Sequence, residues 1–200
     1  MRKNIQLSTQ NVFAVATTSA MLILILAFLP SCNDAKPEDT KDVAIEHNEA
    51  KFDNAKEDDA KFLVSAAEIN LEEIQLGKLA QSNSAHADVK ELGRMMVAEH
   101  TRAQSDLQAL ADKKQISLPL TLTENGQEAN DKLMGKKGKD FDKEYCDMTV
   151  SGHKNAINKF EKASTDASDP EVREWATSML PALRTHLDHA IACKDKCDKM

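Results

Sequence analysis

Four ionisable side chains stand where the surrounding spacing calls for apolar ones: Glu73, His100, His153 and His186. Neutral imidazole nitrogens and a carboxylate oxygen together form a ligand set that suits a transition metal such as iron, zinc, copper or manganese. Helices of a bundle bring such groups to one point by projecting them inward from facing sides. The competing reading is a metal-free polar core, in which the histidines bond to Glu73, to backbone freed near Pro181 or to trapped water. A buried Glu without a partner is costly, so Glu73 requires neighbours. Three histidines exceed what one carboxylate needs, which favours metal. Glu72, Glu99, Glu161 and His189 flank these positions, either orienting the ligands or simply charging exposed helix faces.

The elements that must position these residues follow from apolar spacing. Phe62, Ala66, Ile69, Glu73, Leu76 and Ala80 step by four and three, and Val89, Gly93, Met96, His100, Ala103, Leu107 and Leu110 repeat the rhythm after a turn at Ser82-Asn83-Ser84. A third stripe runs Phe141, Tyr145, Thr149, His153, Ala156, Phe160, Ala163, with Asp140 expected as its N-cap. Asp169-Pro170-Glu171 opens a fourth, which continues through Val172, Ala176, Met179, Leu183, His186, Ala190 and Cys193. Pro181 cannot donate to the Thr177 carbonyl, so a kink or bulge is expected there. Between Lys113 and Lys139 the rhythm fades. Leu118-Pro119 forces extended backbone, while Glu124 to Leu133 can form a short helix.

At about 1.5 Å rise per residue from the two turns, the four ionisable residues fall within about 10 Å of one level. Two hairpins joined by a long connection imply an all-α fold: an antiparallel four-helix bundle of the ferritin-like kind, with the crossover between its second and third helices. The Glu-x-x-His motif of a di-iron centre is missing, because Val97, Val150 and Leu183 stand three residues before the histidines. A single metal ion is therefore expected.

The N-terminus reads as an address. Arg2 and Lys3 precede an almost uncharged apolar run from Val12 to Leu29, which stops at Leu29-Pro30-Ser31-Cys32. The pattern is similar to a lipoprotein signal over residues 1–31, with Cys32 as the lipidated residue anchoring the protein to a membrane. The apolar run is also close to the length of a retained anchor helix. Both readings place the chain in the cell envelope, periplasmic or outer membrane. Residues 32–57 are mixed in charge and poor in large apolar groups, and are expected to form a disordered tether ahead of the domain at 58–200. Acidic residues outnumber basic ones 33 to 26 with no basic stripe, which excludes nucleic acid as an expected partner.

Three cysteines follow Cys32. In an oxidising compartment a disulfide among Cys146, Cys193 and Cys197 is expected, and Cys146 and Cys193 lie toward the same end of their hairpin. The spacing Cys193-Lys194-Asp195-Lys196-Cys197 equally suits metal binding.

Ala60-Lys61-Phe62, Glu73-Ile74-Gln75-Leu76-Gly77-Lys78-Leu79-Ala80, Met96-Val97-Ala98-Glu99-His100, Leu118-Pro119, Phe141-Asp142-Lys143-Glu144-Tyr145, His153 and Leu180-Pro181-Ala182-Leu183-Arg184-Thr185-His186 together resemble the bacterial ferritin-like "domain of unknown function 4142" across residues 58 to 192. The resemblance implies an exported four-helix ferritin-like fold and places Glu73, His100, His153 and His186 in motif positions. Glu99 stands where the family has Asp. No activity comes with the resemblance. Two functions therefore remain open: a lipid-tethered protein holding a transition metal for sequestration or stress-related redox protection, and a metal-free structural or protein-interaction module of the envelope.

Overall fold

The computed structural model describes residues 38–199, which are helical and contain no strand. The expected signal segment over residues 1–31, Cys32 and the start of the expected tether lie outside the described residues. Six helices follow one another: α1 (Thr40–Glu49), α2 (Asn54–Asn83), α3 (Ala87–Lys114), α4 (Glu124–Met134), α5 (Gly138–Asp166) and α6 (Pro170–Cys197). Among the described residues no helix is long and apolar enough to cross a membrane.

Four helices are long, and short turns make α2 and α3 one antiparallel hairpin and α5 and α6 another. The hairpins meet through α2 against α5 and α3 against α6. Capping follows the local chemistry. Asp169 accepts from the Glu171 backbone N–H at 2.8 Å with Pro170 in the first turn. Thr123 caps α4 through Gly126. The third long helix starts at Gly138 rather than after Asp140, and α6 runs as continuous α-helix through Pro181. Asp59 on α2 clamps the turn of the opposite hairpin, accepting from Ser168 and Asp169 N–H at 2.8 and 2.7 Å.

The stretch expected as tether, residues 32–57, is ordered from Thr40 onward, and α2 begins eight residues before Phe62. The cause is tertiary. Asn48 is buried and pairs with Ser117 in both directions, donating to its carbonyl at 2.9 Å and accepting from its N–H at 2.8 Å. Lys41 reaches Glu68 at 2.8 Å, and Asp39 caps α1 while accepting from Glu124 N–H. Ala44, Ile45 and Phe52 add apolar contact to the core below.

That core is divided. One apolar cluster holds Leu63, Val64, Leu107, Phe160, Val172 and Leu180, with Phe62 edge-on and Trp175 tilted against Phe160. The other holds Leu76, Val89, Met96, Leu133, Phe141 and Tyr145. On each long helix the residues between these clusters are polar: Asn70 and Glu73, His100, His153, His186. A single polar layer thus crosses the interior where sequence spacing placed it.

Candidate metal centre

Three helices deliver one imidazole each. His100, His153 and His186 are buried, and their ring centroids form a near-equilateral triangle with sides of 5.5, 5.3 and 5.3 Å. The inward nitrogens are closer still: His153 Nε2 lies 3.4 Å from His100 Nε2 and 3.3 Å from His186 Nδ1. One ligand atom from each of the three lies within 4.8 Å of the others.

Their outward nitrogens decide what the inward ones offer. Asn70 gives its amide N–H to Gln104 Oε1 at 3.2 Å, so its Oδ1 accepts from His100 Nδ1 at 2.9 Å. His153 Nδ1 donates to the Thr149 carbonyl at 2.9 Å and faces Glu73 Oε1 at 3.3 Å. With protons held on both outward nitrogens, the Nε2 atoms of His100 and His153 carry lone pairs toward each other. Two lone pairs at 3.4 Å repel unless a positive charge lies between them. A positive charge between them relieves that repulsion, and a proton on His153 can supply it.

The electrostatics agree on where a proton goes. Burial, and then the other two imidazoles, hold His100 well below the ordinary value. Burial, followed by His153 and His189, lowers His186 to about 4. Burial alone would also lower His153, but the Glu73 charge and hydrogen bond, with the Thr149 carbonyl, raise it.

Without a bound metal, this arrangement predicts acid lability. The unfolded chain protonates near the usual imidazole value of about 6.5, whereas folded His186 waits until about 4. A depressed folded value stabilises above the unfolded one, and that contribution is lost as the pH falls through the window, costing about 3 kcal/mol for this residue. His153 acts oppositely, its contribution fading as the pH rises. Denaturant midpoints of metal-free protein at about pH 7 and about pH 4.5 should therefore differ more in wild type than in His186→Leu. Equal differences would refute the assignment.

Glu73 does not join the three converging nitrogens. It sits behind His153, with Oε1 toward Nδ1 and a buried Oε2 that has no hydrogen-bond partner among the described residues. Gly152 makes room for it, since a Cβ there would stand 3.2 Å from Oε1. Its place is that of a carboxylate that orients His153 and helps to fix its tautomer. Asn70 does the same for His100, a role that sequence reasoning missed although Asn70 lies one turn before Glu73.

The flanking residues divide. Glu72 borders a cleft of about 520 Å³ with Glu68, Glu73 and Asn155, and burial beside Glu73 and Glu68 raises it to about 7. Glu99 pairs with Arg102 and Glu161 with Arg184, both on the surface, and His189 is exposed. On the other side, a cavity of about 50 Å³ touches His100, His186 and Asn70 between α3 and α6. It has room for water or another small ligand. Cys146, Cys193 and Cys197 are free thiols rather than the disulfide expected from their number, with sulfurs 3.3 and 3.7 Å apart.

No curated protein is significantly similar to the chain. A solved structure of CopM in the Cu(II)-bound form aligns with a TM-score of 0.58 at 14% identity, covering 69% of this chain and 96% of that one. At that identity the likeness concerns the fold alone. The model of the family described as "Domain of unknown function (DUF4142)" matches residues 45–193, and the chain belongs to that family.

Proposed function

We propose that this protein is a lipid-anchored, ferritin-like four-helix protein of the cell envelope that sequesters one transition-metal ion, copper first, on His100, His153 and His186. The carrying observation is the spacing of the inward nitrogens. Three imidazoles on one ion at about 2.0–2.1 Å have nitrogens about 3.3–3.4 Å apart in tetrahedral geometry, and the two separations that His153 makes are 3.4 and 3.3 Å. Glu73 and Asn70 hold the outer nitrogens, as carboxylates and carbonyls do behind metal-bound histidines. An all-imidazole set suits copper and zinc better than a hard ion. The similarity to the fold of CopM, itself recorded with Cu(II), supports copper as the first ion to try. The small adjoining cavity fits a water-sized fourth ligand rather than an organic substrate, which favours holding over turnover. Anchoring through Cys32 and export by residues 1–31 rest on the charged start, the apolar run and its abrupt end at cysteine.

One observation favours the second reading, a metal-free structural module. A proton on His153 pairs with Glu73 and can be shared through Nε2 with His100 and His186, which closes the network without metal. Titration of the full-length protein with Cu(II), read by electron paramagnetic resonance and elemental analysis, separates the two. The metal reading requires stoichiometric copper with imidazole nitrogen couplings, lost in the His100→Ala, His186→Ala double variant. Absence of such couplings in wild type selects the structural module.

A further inference from the structure

Two helical turns from the imidazoles, a second set of ligand atoms converges. Cys146 precedes His153 by seven residues on α5, and Cys193 follows His186 by seven on α6, so the sets are stacked along the same two stripes, about 10 Å apart along the axis. Cys197 arrives from the last turn of α6. Cys146 Sγ is 3.3 Å from Cys193 Sγ and 3.7 Å from Cys197 Sγ, and all three sulfurs lie within 4.8 Å of one another. Three thiolates on one ion at about 2.3 Å stand about 3.8–4.0 Å apart, so the two separations that Cys146 makes must widen by a fraction of an ångström.

Two independent features point to a cation there. Asp142, one turn before Cys146, is buried with an Oδ1 that has no hydrogen-bond partner among the described residues, and its charge acts on Cys197. A cleft of about 180 Å³ between α3 and α6 reaches Cys193 from a rim carrying Met95 and His189, beside Asp88, which pairs with Lys196, and Glu91, which pairs with Arg94. A thioether and an imidazole on that rim can pass on a soft cation.

We propose that Cys146, Cys193 and Cys197 form a second metal site, one that takes a soft closed-shell ion, Cu(I), through the cleft at Met95 and His189. Sulfur ligation selects Cu(I) over hard cations. Binding is ligand exchange: copper–sulfur bonds form, thiol protons leave to solvent, and no oxidation state changes. The site stands whether or not the imidazoles hold metal.

The test uses full-length protein carrying Cys32→Ser in every arm, so that only the buried thiols respond. Chelator-buffered Cu(I) is added without oxygen, and the ultraviolet sulfur-to-copper charge-transfer band is followed together with retained copper. The band should saturate in this protein and persist when His100→Ala and His186→Ala are added. It should be lost in Cys193→Ser. Absence of the band before any further substitution overturns the proposal, as does an unchanged band in Cys193→Ser. If Cys193→Ser fails to fold by circular dichroism, X-ray absorption of the loaded protein that also carries His100→Ala and His186→Ala decides, with sulfur-only ligation supporting the site and nitrogen ligation refuting it.

Discussion

Replacing His153 with alanine should abolish Cu(II) binding at the imidazoles and, in metal-free protein, lower the unfolding free energy by about 3–5 kcal/mol. His153 is the hub of the polar layer: it touches His100, His186, Glu73 and the Thr149 carbonyl. Without it, the two remaining imidazoles lose their shared partner, and the Glu73 carboxylate stays buried with neither oxygen answered. Removing one partner of a buried charged pair costs far more than the pair contributes. The companion substitution Glu73→Gln separates ligand from orienter. It keeps an oxygen facing His153 Nδ1 while removing the charge, so metal affinity should fall about 10–100-fold, with binding retained. Isothermal titration with Cu(II) and denaturant unfolding of the three proteins measure both quantities. Loss of binding in Glu73→Gln as complete as in His153→Ala would make Glu73 a ligand after all. A neutral effect of His153→Ala on stability would mean that Glu73 is solvated.

The different success of sequence reasoning along the chain has physical causes. The stripe Phe141, Tyr145, Thr149, His153, Ala156, Phe160, Ala163 is buried at every position, because a long helix packed on one face must repeat its apolar residues near every third or fourth position. Asp169-Pro170 marks a helix start by purely local bonding, and the structure keeps it. In contrast, α1 has only 10 residues and little apolar stripe. A helix so short is marginal on its own, and the partners that hold it, Ser117 and Glu68, lie far away in sequence. Glu73 was legible as a buried carboxylate, but not which side of His153 it would occupy. Register gives the face and level of a residue, whereas the order of groups within a layer depends on rotamers and on which neighbour is small, here Gly152. The cysteines show the same limit. Their position two turns from the histidines is a matter of counting, but a pairwise disulfide and a three-sulfur cluster have the same spacing.

Gly93→Ala should destabilise the protein by about 1–3 kcal/mol, although alanine favours a helix interior by up to about 1 kcal/mol over glycine. The reason lies in the crossing of α2 and α3. A Cβ on Gly93 would stand 2.7 Å from the Gly77 carbonyl oxygen and 2.8 Å from Ala80 Cβ, and one on Gly77 would stand 2.8 Å from the Gly93 carbonyl oxygen. Two of these obstacles are backbone, so no rotamer change relieves them and the helices must separate. Gly135 provides the control, since its φ of −69° suits any residue and its Cβ would meet nothing closer than 3.6 Å. Gly135→Ala should be neutral or stabilising by up to about 1 kcal/mol. The consequence for the site follows from distance along the helices. Gly77 lies one turn beyond Glu73, and Gly93 two turns before His100, so widening the crossing pulls Asn70 and Glu73 away from the imidazoles they orient. Denaturant unfolding and metal titration of Gly93→Ala should therefore move together, with weaker folding and weaker metal retention. Weaker folding with unchanged metal affinity would show that the polar layer is positioned by α5 and α6 and does not depend on the glycine crossing.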